Sequence, residues 1–340
     1  MQNLITEEFL ILKKNLPLLD VRSPGEYNEG HITGAINIPI FDDKEREIVG
    51  TIYKKQGRLP AIEKGLEIVG PKMVEFVQKA LKISSSNQLL VHCWRGGMRS
   101  ESMAWLFERA GINCFVLQGG YKSYRNYLFE KVGNIPHLIV IEGHTGSGKT
   151  EILQSLKTMG EQVIDLESFA HHRGSVFGGI GQPIQPMTQQ FQNDIFDEIL
   201  RFDLSKIVWI EGESQTVGRV FLPDPLWQRM NEAPCIEILV PKADRICRLV
   251  NEYGSLPVEL MENAIGSLSK RLGDKRMKEI LSHYLDNNLY AVADQLLEYY
   301  DQTYQYSRDR YKKKTIKIEL PNGDADTHAE IILKMSNTIL

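Results

Sequence analysis

Two hydrophobic patterns alternate along this chain. Short apolar runs end in charge or glycine, as buried strands do, and longer stretches repeat apolar residues at helical spacing. Leu16-Pro17-Leu18-Leu19-Asp20-Val21-Arg22 reads as a short buried strand. Ser23-Pro24-Gly25-Glu26-Tyr27 turns into a short helix, and Gly34-Ala35-Ile36-Asn37-Ile38-Pro39 returns as a second strand. Pro71 to Ile83 is amphipathic, with Val74, Val77 and Leu81 on one side. Leu89-Leu90-Val91 runs into His92 and Cys93, a helical run follows Arg99, and Cys114-Phe115-Val116-Leu117 is a further strand closed by Gln118-Gly119-Gly120. Residues 42–70 are weaker in pattern and carry Lys44, Arg46, Lys54, Lys55 and Arg58 among acids. That stretch reads either as a solvated helical excursion or as a substrate-facing lid.

The second half repeats the theme. Gly133-Asn134-Ile135-Pro136 reads as a linker, and His137 to Glu142 as an apolar strand. Val163-Ile164-Asp165-Leu166-Glu167, Ile207-Val208-Trp209-Ile210-Glu211 and Cys235 to Val240 are further strands. From Pro257 to about Tyr306 the spacing is helical, and Asp324 to Leu340 reads as one terminal helix without a site. Strands alternating with helices predict an α/β protein with largely parallel sheets. The expected units are 1–132, 136–256 and a mainly helical extension, 257–340, packed on the second.

Composition narrows the function classes. The chain has 340 residues, 42% hydrophobic and 25% charged, as in ordinary globular proteins. A net charge of −4 means that nucleic-acid contacts must come from local basic patches. Lys270, Arg271, Lys275, Arg276 and Lys278 form one such cluster, and Arg308, Arg310, Lys312, Lys313 and Lys314 another. Both read equally as solvated faces or as phosphate-backbone contacts. Cys93, Cys114, Cys235 and Cys247 make no paired-cysteine motif, which argues against a zinc site or a disulfide framework. No leader pattern opens the chain and no apolar run approaches a membrane span, so a cytoplasmic protein is expected.

Two strings carry chemistry. The first is Cys93-Trp94-Arg95-Gly96-Gly97-Met98-Arg99. A cysteine between a strand and a helix, on a loop whose N–H groups turn inward, is a nucleophile over an anion cradle. Arg95, Arg99 and the helix N-terminus favour its thiolate. The second is Gly143-His144-Thr145-Gly146-Ser147-Gly148-Lys149-Thr150, a phosphate-binding loop set between a strand and a helix. Its glycines let backbone N–H groups face a phosphate, Lys149 supplies a charge, and Thr150 can hold Mg²⁺. Glu211 and Glu213 stand where a nucleotide hydrolase would usually carry a metal-linked aspartate. His171, His172 and Arg173 read either as hydrogen-bonding residues or as phosphate or RNA contacts.

Residues 20–39, the Cys93 string and Val116-Leu117-Gln118-Gly119-Gly120-Tyr121 together resemble a rhodanese domain over roughly residues 5–130. The resemblance makes Cys93 a chalcogen-carrying nucleophile. The loop is one residue longer than in common sulfurtransferases and also resembles that of dual-specificity phosphatases. Transfer of sulfur or selenium and phosphoester hydrolysis are both open at this point.

With the phosphate loop added, the whole chain resembles the tRNA 2-selenouridine synthase family. That resemblance implies alkylation of a wobble 2-thiouridine by geranyl diphosphate, then replacement of the geranylthio group by selenium from selenophosphate. It places selenophosphate on the loop Trp94 to Arg99 and the diphosphate on Gly143, Thr145, Gly146, Ser147, Gly148, Lys149 and Thr150. It also implies contact with the tRNA anticodon stem-loop. A kinase-like enzyme with a rhodanese regulatory domain, and an RNA-binding module with degenerate sites, are the alternatives.

Overall fold

The computed structural model describes residues 1–84, 86–254, 258–308, 314–320 and 324–336. Arg310, Lys312 and Lys313 of the second basic cluster, and residues 337–340 of the expected terminal helix, lie outside them. The chain divides into two compact units. One comprises Met1–Glu130 with Met187–Asp194, and the other Lys131–Pro186 with Ile195–Leu340.

The first unit is built on strands β1 (Gln2–Leu4), β2 (Leu18–Asp20), β3 (Ile36–Asn37), β4 (Gln88–His92) and β5 (Asn113–Leu117). They form one parallel sheet in the order β1-β5-β4-β2-β3. Leu89, Leu90 and Val91 are all fully buried, which is why β4 reads as an unbroken apolar run: helices cover both faces of a parallel sheet. Phe76, Met103 and Phe107 from the flanking helices fill the core against Leu19, Val91 and Val116.

Local signals set the helix starts. Ser23 and Glu26 form a capping box with Pro24 in the first turn of Pro24–Glu29, and Asp42 with Glu45 does the same for Asp43–Gln56. Gly57 breaks the chain at φ 98°, and Arg58–Val69 follows, so residues 42–70 are helical. The stretch Met187–Asp194 is held in this unit by polar contacts the pattern does not announce. Asn193 Nδ2 donates to His31 O at 2.7 Å and to Tyr121 Oη at 2.8 Å, and Arg125 donates to Asn193 Oδ1 at 2.7 Å.

The second unit contains β6 (Leu138–Gly143), β7 (Gln162–Ile164), β8 (Val208–Glu211), a short antiparallel pair β9 (Thr216–Val217) and β10 (Val220–Phe221), β11 (Cys235–Leu239) and β12 (Thr315–Glu319). The main sheet is parallel, in the order β12-β11-β6-β8-β7. Strand β6 is central, and its buried residues Leu138 to Ile141 lead directly into the phosphate loop. Helical pattern reading passed over β12. Thr315-Ile316-Lys317-Ile318-Glu319 alternates as a half-buried edge strand does, but it is only five residues long and directly follows a basic run. Ala329 and Ile332 of the helix Ala325–Ser336 are buried in the sheet core, so the last helix belongs to this unit's interior. Helices Val258–Ser267, Asp274–Leu285 and Leu289–Arg308 pack around Met261, Ile265, Ile280, Val292 and Leu296. The expected α/β class with largely parallel sheets holds. Among the described residues, no helix is long and apolar enough to cross a membrane.

Candidate active site

In the first unit β4 delivers Cys93 to the sheet's C-terminal edge, where α/β proteins place their ligands. Cys93 is 3% exposed, with Sγ at 3.2 Å from Ser100 Oγ and 3.9 Å from Gly97 O. The start of the helix Gly120–Val132 clamps the loop. Tyr121 N donates to Cys93 O at 2.8 Å, and Lys122 N donates to Trp94 O at 3.0 Å. This approach needs glycine on both sides. Gly96 and Gly120 have φ of 62° and 61°, and a Cβ on Gly120 would run into Cys93 O and Gly96 N. In the sequence Gly119-Gly120 merely closes a strand; in the structure Gly120 is half of the cradle's frame.

Arg22, fully buried, supports the frame from below. It donates to the Asp20 carboxylate at 2.5–3.0 Å and to Gly30 O at 2.7 Å, and lies 3.9 Å from the Tyr121 ring centre. Burial works to raise the Asp20 carboxyl, but His92 and the Arg22 guanidinium outweigh it and hold it below its ordinary value. Burial lowers His92, against the pull of Asp20.

Cys93, Trp94, Arg95, Gly97, Met98 and Arg99 line one open cavity of about 660 Å³, with Gly96 packed behind. Arg99 is not a free cation. It donates to Glu26 at 2.6 Å, and Arg46 lies 3.5 Å from the same carboxylate. Burial raises Glu26, yet its hydrogen bond and charge contact with Arg99 bring it below its ordinary value. Arg46, Tyr53 and Arg58 complete the cavity wall. The weakly patterned stretch is thus helical and also faces the site. Arg46 and Arg58 stood out in sequence only as charges; nothing local tied them or Glu26 to Cys93.

In the second unit the phosphate loop joins β6 to the helix Lys149–Thr158. Gly146 and Gly148 have φ of 78° and 85°, the left-handed geometry that turns successive N–H groups to one side. Lys149 Nζ donates to Gly143 O at 2.9 Å. Asp301, from the helix Leu289–Arg308, braces the loop. It contacts His144 Nδ1 at 2.8 Å and accepts from Arg245 at 2.8 and 2.9 Å, while Arg245 also reaches Thr145 O at 3.3 Å. Thr145, Gly146, Ser147, Gly148, Lys149 and Thr150 line a cavity of about 1540 Å³ with Arg248 and Glu213.

Three carboxylates crowd the foot of this loop. Ligand oxygens of Glu167, Glu211 and Glu213 lie within 4.8 Å of one another. Thr150 Oγ1 donates to Glu167 at 3.0 Å, and Glu167 N donates to Glu211 Oε1 at 2.6 Å. The other oxygen of Glu211 is buried and has no hydrogen-bond partner among the described residues. Burial, then the charge of Glu213, pushes Glu167 up to about 7. Burial, then Glu167, raises Glu211 well above its ordinary value, and burial raises Glu213. An all-oxygen set with an orphaned carboxylate oxygen fits a small hard cation such as Mg²⁺. Glu167 belongs to this set although the sequence showed it only as an acid at a strand's end.

The structure separates the neighbouring trio. Arg173 lines the large cavity and pairs with Glu252. His171 ends a short helix at φ 51° with Nδ1 at 3.0 Å from Ile184 O, and burial lowers His172; neither lines that cavity. Of the first basic cluster, Arg276 is tied to Gln295 O and Glu298, while Arg271, Lys275 and Lys278 are exposed.

Residues 136–337 match the family model described as tRNA 2-selenouridine synthase AAA domain, and residues 7–127 match the rhodanese-like domain. A curated tRNA 2-selenouridine synthase of Bdellovibrio bacteriovorus is 39% identical over 254 residues, 72% of this chain and 66% of that protein. The aligned part falls just short of two thirds of that relative's length. One from Sulfurovum sp. is 33% identical over 336 residues, 88% of this chain and 91% of that protein. A crystal structure of the N-terminal domain of a Clostridium difficile 630 protein named for ATP/GTP binding is 41% identical. It covers 37% of this chain and 98% of that one, with a TM-score of 0.35.

Proposed function

The chain belongs to the tRNA 2-selenouridine synthase family, and we propose that it is an enzyme of tRNA modification whose two sites divide the chemistry between them. The loop Gly143 to Thr150 takes the diphosphate of geranyl diphosphate. The sulfur of wobble 2-thiouridine attacks the first carbon of the geranyl group, the carbon–oxygen bond breaks, diphosphate leaves with the bonding pair, and the N3 proton of the alkylated base passes to solvent. Lys149 and the loop N–H groups stabilise the charge that develops on the leaving oxygen. Thr150, Glu167, Glu211 and Glu213 would hold Mg²⁺, which would neutralise diphosphate charge. No water is activated in this step, so the carboxylates act as ligands and not as general bases.

The cavity over Cys93 takes selenophosphate, its phosphate facing the loop N–H groups and Arg95. Selenium attacks C2 of the alkylated base and expels the geranylthiolate. Water then takes the phosphoryl group from selenium, releasing phosphate and leaving 2-selenouridine. These steps balance without a covalent adduct, so Cys93 acts here as a contact for the selenium donor. The tRNA enters by its anticodon stem-loop, with Arg271, Lys275 and Lys278 as backbone-phosphate contacts. A tRNA substrate supports a cytoplasmic location.

The observation supporting this division is that each unit builds its own anion site. One is a left-handed glycine loop over threonine and carboxylates; the other is an open, arginine-walled cavity over a cysteine. The test is to incubate the enzyme with 2-thiouridine tRNA, geranyl diphosphate and selenophosphate, digest the tRNA and read the nucleosides by mass spectrometry. Cys93→Ala should accumulate the geranylated nucleoside, and Lys149→Ala should form none. If both variants stop at the same nucleoside, the division is wrong. Lys149-dependent nucleotide turnover without alkylation would favour the kinase-like alternative.

A further inference from the structure

Beside the phosphate loop, within the second unit, lies a groove of different character. Its walls come from the helices Lys242–Tyr253, Val258–Ser267 and Leu289–Arg308 and from the segment around Phe177. Leu249, Val250, Met261, Val292, Leu296 and Phe177 line its depth, and among the described residues no charged one lines it. Met261, Val292, Leu296 and Phe177 also belong to the helical core, so the groove is a gap in that core that opens outward.

It opens toward the phosphate loop. Thr145, Ser175, Leu249, Tyr253 and Tyr300 line both the groove and the large cavity that holds Lys149 and Thr150. The groove's free interior is about 60 Å³. It is a half-open slot, and flexible side chains such as Met261 and Leu289 can widen it. The tyrosines at the junction are neutral, since burial pushes both Tyr253 and Tyr300 up to about 12. Tyr300 Oη is already engaged, accepting from Val176 N at 3.3 Å.

We propose that this groove holds the hydrocarbon tail of an isoprenoid diphosphate whose head sits on the loop Gly143 to Thr150. This rests on the diphosphate reading of that loop and adds the part of the ligand the loop cannot recognise. The hydroxyls of Thr145, Ser175, Tyr253 and Tyr300 stand at the junction, so a nucleoside attached at the same point would press donors and acceptors against the aliphatic depth of Val250, Met261, Val292 and Leu296, which is costly. A branched hydrocarbon loses nothing there and gains by leaving water. The groove thus selects the alkyl donor, and the phosphate loop secures its leaving group.

Isothermal titration of the full chain with inorganic pyrophosphate and with dimethylallyl, geranyl and farnesyl diphosphates tests this. Burying half of a five-carbon unit is expected to raise affinity roughly tenfold to a hundredfold, so geranyl diphosphate should bind far better than pyrophosphate. Val250→Phe, which fills the groove away from the phosphate loop, should erase that gain and leave pyrophosphate binding intact. If Val250→Phe melts early, Leu289→Trp on another wall serves the same purpose. Equal affinity for all four ligands, abolished by Lys149→Ala, would overturn the groove and leave the diphosphate reading standing. A chain-length gain that the filled variants keep would place the tail elsewhere and also overturn it. If neither pyrophosphate nor geranyl diphosphate binds, the diphosphate reading itself fails.

Discussion

Replacing Gly120 by alanine should damage the Cys93 site far more than its size suggests. Gly120 sits at φ 61°, and left-handed geometry alone costs an L residue roughly 1–2 kcal/mol. Gly34 supplies the control: its φ is 83° and nothing lies within 4 Å of an added Cβ. At Gly120 the new atom meets Cys93 O, Gly96 N and, at 2.8 Å, Arg95 N. All three are backbone atoms of the cradle, and ordinary contact begins near 3.4 Å. The loop must therefore retreat, with an overpacking cost of about 1–3 kcal/mol. The bond from Tyr121 N to Cys93 O weakens too, for about another 1 kcal/mol. Gly120→Ala should thus cost about 3–6 kcal/mol, against about 1–2 kcal/mol for Gly34→Ala, which bears the left-handed cost alone. In thermal unfolding that is roughly 10–20 °C against roughly 3–6 °C for the first unit's transition. The nucleoside assay should show Gly120→Ala halting at the geranylated product, as Cys93→Ala does. Equal destabilisation by the two alanines, or normal selenation by Gly120→Ala, would refute the clamp.

Other outcomes follow from buried charge. Asp20→Asn leaves the fully buried Arg22 without its counter-ion and should destabilise the first unit by about 3–5 kcal/mol in denaturant titration at pH 7. Because the folded Asp20 carboxyl lies below its ordinary 3.8, its stabilisation is present above that pH and lost as pH falls through the folded value. The gap between Asp20→Asn and wild type should therefore narrow in acid. Mg²⁺ at a hundred times its dissociation constant should stabilise the second unit by about 2.7 kcal/mol in calorimetry. Glu211→Gln should weaken that response, and an undiminished response would remove Glu211 from the ion's ligands.

Much of this protein is legible in its sequence, for a local reason. Strands buried on both faces read as apolar runs, so two parallel sheets can be expected from pattern alone. The phosphate loop and the Cys93 loop are contiguous strings whose turns depend on their own glycines. Their place between strand and helix follows from the residues on either side. Strand β12 is hard to read from pattern because its alternation is brief and follows a lysine run.

What pattern could not supply is convergence. Glu26 reaches Arg99 across 73 residues of sequence, and Glu167 meets Glu211 across 44. Asp301 braces a loop more than a hundred residues away, and Gly120 meets Gly96 only because β4 and β5 are neighbours in the sheet. The apolar groove needs three helices and a loop that share no motif. Hydrophobic period determines which face of each element is buried, and a contiguous motif determines its own turn. Neither determines which strand lies beside which. That choice, made when the sheets close and the helices pack, decides which distant side chains meet at each anion site.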